Sequence, residues 1–153
     1  MSKDLPPPPD PAGFSLNGSE PYVITAEQNA ALCRSIGCEP ASDGTAHPIY
    51  YYIATQIGMG PSVAEFCEAC DFDVADGPMI VGSEVTYRQP LMVDQPYTVT
   101  GVINSLERKL SRKLGVMDLS EYTLDLHADD TLGGDTLVLE SKTRWVLPRK
   151  GLS

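Results

Sequence analysis

The chain has 153 residues, 42% of them hydrophobic, enough for one domain with its own core. Eleven Lys and Arg stand against 21 Asp and Glu, a formal net charge of −10, so the basic surface that nucleic-acid phosphates require is missing. No stretch approaches the roughly 20 apolar residues of a membrane span. The N-terminus has no apolar signal core, and together these points predict a cytoplasmic protein without membrane association.

Residues 1–18 hold Pro6 to Pro9, Pro11, two glycines and few apolar groups, which predicts a disordered Pro-rich tail ahead of a single domain over 19–150. Tyr22, Val23 and Ile24 form a short strand. Thr25-Ala26-Glu27-Gln28 is a capping box that opens a helix to about Ile36, and Gly37 stops it. A loop over 38–46 leads into the one long apolar helical stretch, 47–70. Pro48 suits its first turn, with Asp43 and Thr45 just upstream as candidate caps. Ile49, Tyr52, Ile53 and Ile57 recur at helical spacing, and Tyr50, Tyr51 and Ala54 fill the other faces. A helix apolar almost all round is expected to be buried. Gly58 and Gly60-Pro61 interrupt it, and Ser62-Val63-Ala64-Glu65, a second capping box, restarts it.

Downstream of an acidic loop at 71–78 the period changes to two. Strands are expected over 79–88, 97–106, 114–127 and 136–147, with Gly133-Gly134 as a hairpin signal before the last. The inward set of the third of these switches phase partway, as a β-bulge would cause. In the last, Leu137, Leu139, Trp145 and Leu147 share one parity, and Glu140, Lys142 and Arg144 take the other. Helices precede strands, so the class is α+β: an antiparallel sheet wrapped around a long buried helix. The outer face of that sheet then needs a cover, which points to a second subunit.

Few residues carry candidate chemistry. Asp43 and His47 are the one plausible proton-transfer couple. His127, among Asp125, Asp129 and Asp130, reads as a surface residue with no role. Cys33, Cys38, Cys67 and Cys70 read as small buried thiols rather than zinc ligands, and the expected compartment disfavours disulfides. Asp71, Asp73 and Asp76 lack the EF-hand order of calcium ligands. No metal or other cofactor is expected.

Four pieces carry a resemblance: Ala46-His47-Pro48 entering an aromatic helix; Tyr87-Arg88-Gln89-Pro90-Leu91 ending a strand; the strand from Tyr97 to Ile103; and Arg112-Lys113-Leu114-Gly115-Val116-Met117-Asp118 opening the long one. In their order and separation the sequence resembles the N-terminal, non-catalytic type of MaoC-like dehydratase domain, over about residues 20–149. The resemblance implies the hot-dog fold and the company of (R)-specific enoyl-CoA hydratases and 3-hydroxyacyl dehydratases. Members pair hot-dog domains as homodimers, heterodimers or fused domains. In the active half an Asp and a His, within Asp-x-Asn-Pro-x-His, act on water, and a backbone N–H at the helix N-terminus polarises the thioester carbonyl. Here Asp43 and His47 are four apart, without Asn-Pro between them.

The resemblance therefore implies a subunit that shapes the acyl pocket and pairs with a catalytic hot-dog chain, acting on an acyl-CoA or acyl-carrier thioester. Arg88, Arg108, Lys109, Arg112 and Lys113 would seat the CoA phosphates, and Tyr51, Tyr52 and Met59 would line the acyl pocket. Two alternatives stay open. One is a self-sufficient homodimeric hydratase or thioesterase using Asp43 and His47, or a carboxylate such as Glu65, Glu68 or Glu84. The other is a non-enzymatic acyl-thioester binder.

Overall fold

The computed structural model describes residues 4–129 and 135–152. The hairpin signal at Gly133-Gly134 lies outside them. Three helices precede four long strands: β1 (Tyr22–Val23), α1 (Ala26–Ser35), α2 (Tyr50–Gly58), α3 (Val63–Ala69), β2 (Met79–Tyr87), β3 (Pro96–Ser111), β4 (Gly115–Asp129) and β5 (Asp135–Pro148). The strands make one antiparallel sheet in the order β1-β3-β4-β5-β2, and α2 lies across β1, β3 and β4. Among the described residues, no helix is long and apolar enough to cross a membrane.

Both capping boxes form as the sequence predicts. Thr25 and Gln28 close the start of α1, and Ser62 and Glu65 the start of α3. Gly37 takes φ +83 just beyond α1, a conformation that glycine adopts without strain. Helix α2 differs from expectation. Ile49 and Ile57 are 40% and 63% exposed, and Tyr51, Tyr52 and Ile53 are half-buried. Only Tyr50, Ala54 and Thr55 are buried in it. Nine residues of helix cover one stripe of the sheet, and Ile49 and Ile57 stay open to solvent.

Strand β4 corrects the expected change of phase. Its even-numbered residues, from Val116 to Ala128, stay buried without interruption. Asp118 and Ser120 are simply polar residues on the inner face, fully buried, where sequence alone leads one to place Met117 and Leu119. The bulges lie in neighbouring strands instead: Asn104 in β3, Val81 in β2 and Val138 in β5 are the extra residues. The bulge at Val138 buries that residue and turns Leu137 off the inner face of β5.

The outer face also corrects expectation in part. It carries Thr98, Thr100, Glu121, Thr123, Asp125, Glu140, Lys142 and Arg144, with Arg144 donating to Glu121 at 3.1 Å. That polar stretch is the part of the face that water can serve, while Met117, Leu119 and Val146 lie on the same face, the first two half-buried and Val146 buried. The uncovered apolar surface lies elsewhere, on α2 and on the edge strand β2, where Met79, Ile80, Val81 and Tyr87 are 40%, 50%, 57% and 41% exposed.

The N-terminal segment is held rather than loose over its described part. The Gly13 and Leu16 amides donate to Ile103 and Gly101, the Gly18 amide donates to Val99, and Ile103 donates back to Phe14. Leu16 is fully buried in the core. The segment thus lies along β3, and composition hides this because one leucine does the anchoring. It crosses the α2–α3 junction at van der Waals limits: a Cβ on Gly60 would stand 2.3 Å from the Asn17 carbonyl, a backbone atom with no freedom to move aside. Gly60→Ala is therefore expected to destabilise the fold by about 1–3 kcal/mol. Limited proteolysis of the variant should cut before residue 18 faster than in the parent; unchanged cleavage and unchanged stability would refute this docking.

Candidate functional site

The turn from Asp43 to Ile49, at the start of α2, holds both residues of the sequence-predicted couple. Two contacts fix it from outside. The Ala46 amide donates to the Leu91 carbonyl at 2.7 Å, and the His47 amide donates to Oδ1 of Asn29, a buried side chain of α1, at 2.8 Å. Tyr87, at the end of β2, donates its hydroxyl to the Pro48 carbonyl at 2.7 Å and ties the edge strand to the same turn.

Within this frame each member of the couple is engaged with its own backbone. The Asp43 carboxylate accepts the Thr45 amide at 2.9 Å, which holds its pKa below the usual carboxylate range. Nδ1 of His47 accepts the Ile49 amide at 3.1 Å. A neutral imidazole with Nδ1 accepting carries its proton on Nε2, so the ring presents a donor and has no free lone pair for a base. No hydrogen bond joins Asp43 to His47. Neither Asp43 nor Thr45 caps α2; the cap position is Ile49, with no side-chain cap hydrogen bond, and the His47 ring accepts the amide of that cap residue.

The amides that open α2 are likewise occupied. Ile49 is held by the ring of His47, Tyr50 by the His47 carbonyl at 3.0 Å, Tyr51 by Pro48 at 3.1 Å and Tyr52 by Ile49 at 3.0 Å. An oxyanion hole needs donors aimed at the reacting oxygen. These four point back into their own turn.

The proposed basic cluster comes apart. Arg108 faces inward, because the Asn104 bulge changes the parity of β3, and it lies directly across from Asp118. Its Nε and Nη2 donate to the two oxygens of Asp118 at 2.8 and 3.0 Å, and its Nη1 donates to the Pro6 carbonyl at 2.7 Å. Arg149 donates to Asp118 Oδ2 at 2.8 Å and to the carbonyls of Cys70 and Asp71, and its guanidinium lies over the Phe72 ring. Side-chain exposures are 9%, 0% and 10% for Arg108, Asp118 and Arg149. Arg108 is thus part of a buried structural triad rather than a free cation, and residues of the triad line a cleft of about 690 Å³ together with Pro6 to Pro9. Lys109 sits 3.6 Å from Glu107, and Arg88 pairs with Glu140 at 2.8 Å on the surface. Arg112 and Lys113 are exposed in the β3–β4 turn. Sequence reasoning missed Asp118 and Arg149, whose only signal was a lone acid among apolar neighbours in a strand.

The aromatic residues divide between wall and core. Tyr51 and Tyr52 are half-buried on α2, their ring centroids 6.2 Å apart, whereas Met59 is 5% exposed and belongs to the core. Behind them Tyr122 packs edge to face on both Phe66 and Trp145, Phe66 and Trp145 lie tilted to each other, and Gln56 of α2 donates to the Tyr122 hydroxyl at 3.0 Å. Among the other carboxylates considered, Glu65 caps α3, Glu68 is exposed, and Glu84 faces Arg144 at 3.8 Å. His127 sits on the outer face, 2.8 Å from Thr100. Among the described residues, no group of three or more His, Cys, Asp or Glu could hold a metal ion.

No protein-family model matches the chain, and no curated protein matches it significantly. Solved structures do. A C-terminally truncated HadBC (3R-hydroxyacyl-ACP dehydratase) complex from Mycobacterium tuberculosis aligns with 95% of this chain and 99% of its own, at TM-score 0.67 and 14% identity. A MaoC-like dehydratase from Rhodospirillum rubrum aligns with 91% and 93% at TM-score 0.59 and 14% identity. A 4-hydroxybenzoyl-CoA thioesterase, crystallised with 4-hydroxybenzoyl-CoA, aligns with 87% and 83% at TM-score 0.55, again at 14% identity.

Proposed function

The chain has the hot-dog fold that these dehydratases and thioesterases share, and we propose that it is the subunit without an acid–base couple in a two-chain (R)-type enoyl-thioester hydratase or 3-hydroxyacyl dehydratase. The observation that carries the reading is the state of His47. Its Nδ1 is committed to the Ile49 amide, and Asp43 is committed to the Thr45 amide. The His47 ring has no lone pair left to take a proton from water, and no hydrogen bond couples it to Asp43, which favours an acid and base supplied by a second hot-dog chain.

The open apolar surface of α2 and β2 supports this. Ile49 and Ile57 are exposed on the helix, and β2 is an edge strand with exposed apolar residues, the kind of edge that recruits another strand. Pairing there brings a partner's residues to the His47 turn, because Tyr87 already links the two. The acyl chain of a CoA or carrier thioester then runs past Tyr51 and Tyr52, and Arg112 and Lys113, exposed in the β3–β4 turn, are the candidate cations for its phosphates. Arg108 has no part in this, being used by Asp118 and the Pro6 carbonyl.

The test is a pair of substitutions in the complete two-chain enzyme. His47→Ala and Asp43→Asn are each expected to lower kcat less than about tenfold, whereas removal of a working acid or base costs about 10²–10⁴-fold. A loss in that larger range from either, with the complex intact, would move the couple back to this chain and favour a self-sufficient enzyme.

A further inference from the structure

The end of α1 places two cysteines against each other. The helix finishes with the Gly37 amide donating to the Arg34 carbonyl at 3.2 Å and the Cys38 amide donating to the Cys33 carbonyl at 2.9 Å. With Gly37 at φ +83, these are the two hydrogen bonds of the Schellman closure. In that closure the side chains three residues inside the helix end and two beyond it meet, ordinarily as an apolar contact. Here both are cysteines. Cys33 is 3% exposed, and Cys38 is exposed to solvent. Burial pushes the Cys33 thiol up, and a hydrogen bond with the Cys38 thiol adds to it.

We propose that Cys33 and Cys38 form a reversible thiol–disulfide site, closed by a low-molecular-weight disulfide such as glutathione disulfide. The exposed Cys38 thiolate attacks one sulfur of the reagent and expels one thiol, leaving a mixed disulfide on Cys38. Cys33 then gives up its proton, attacks the Cys38 sulfur and expels the second thiol. Two protein S–H groups are oxidised to one S–S bond, and the reagent is reduced to two thiols. The site is independent of the functional reading above, but it is wired to the same turn. The Cys33 thiol lies 3.9 Å from Oδ1 of Asn29, the atom that holds the His47 amide, and closing the bridge removes that S–H.

The other cysteine pair supplies the contrast. Cys67 and Cys70 are fully buried, and desolvation pushes the Cys70 thiol up to about 12, so neither meets a reagent in solution as a thiolate. Because burial also keeps Cys33 protonated, the closing step should quicken as pH rises.

The full chain is to be incubated with glutathione disulfide, quenched in acid, alkylated and peptide-mapped. The expected result is loss of two hydrogens from the intact mass, with Cys33 and Cys38 joined, abolished by Cys38→Ser and retained in Cys67→Ser. Glutathione held on Cys38 without an internal bridge, a bridge between Cys67 and Cys70, or no reaction at all would each overturn the proposal.

Discussion

Asp118→Ala is expected to destabilise the protein by about 3–5 kcal/mol, a large share of the roughly 5–15 kcal/mol that holds a typical domain folded. The reason lies in what is left behind. Asp118 is fully buried and takes three hydrogen bonds from Arg108 and Arg149, each about nine-tenths buried. Removing the carboxylate leaves two like charges facing each other in a poorly solvated space. The triad also joins distant parts of the chain. Arg108 reaches the N-terminal segment at Pro6, and Arg149 reaches the end of α3 at Cys70 and the loop at Asp71. Asp118→Asn keeps the volume and one acceptor, and a smaller loss is expected. Guanidinium denaturation of the three proteins measures this. Equal midpoints for Asp118→Ala and the parent would show that the triad contributes nothing net.

Phe66→Ala is expected to cost about 3–5 kcal/mol by a different route, the cavity left in a close-packed core. Phe66 comes from α3, is fully buried, and has Tyr122 of β4 and Trp145 of β5 at centroid distances of 5.0 and 4.8 Å. Tyr122 and Trp145 are themselves 5.1 Å apart. Phe66 contacts both of the other rings, so its removal takes two ring contacts at once and repacking has little to draw on. Trp145 is the single tryptophan, and its near-ultraviolet circular dichroism reports the loss directly. A loss below about 1 kcal/mol, with that signal unchanged, would place Phe66 outside the cluster; cavity formation costs more than that.

Much of the fold was legible because the signals are local. Thr25 with Gln28, Ser62 with Glu65, and Gly37 each act on backbone groups within a few residues, so sequence spacing alone locates them. The four long strands were legible from period two. What misled was non-local. Asp118 and Ser120 looked outward-facing because a buried carboxylate makes sense only with Arg108 and Arg149, ten and thirty-one residues away and on neighbouring elements. The same pairing shows why a run of basic residues did not remain one cationic patch. Strand alternation sends Arg108 and Lys109 to opposite faces, and the sequence window cannot reveal which cation has an acid waiting.

The candidate site was legible as a place and not as an arrangement. His47 and Pro48 mark the entry to α2, but Asp43 and His47 sit close in sequence while each finds a nearer partner in its own turn. Side chains of Asp and His compete for backbone amides in this way wherever a turn offers them. The half-open side of α2 was not legible either. Apolar residues all round a helix read as burial within one chain, and the sequence does not distinguish that from burial against a second one.

Hydration of a panel of trans-2-enoyl-CoA thioesters by the purified chain, alone and after co-expression with a hot-dog chain bearing Asp-x-Asn-Pro-x-His, tests the central claim most directly. The expected result is a folded protein without turnover alone and turnover in the co-purified pair. Robust hydration by this chain in the absence of a partner would contradict it.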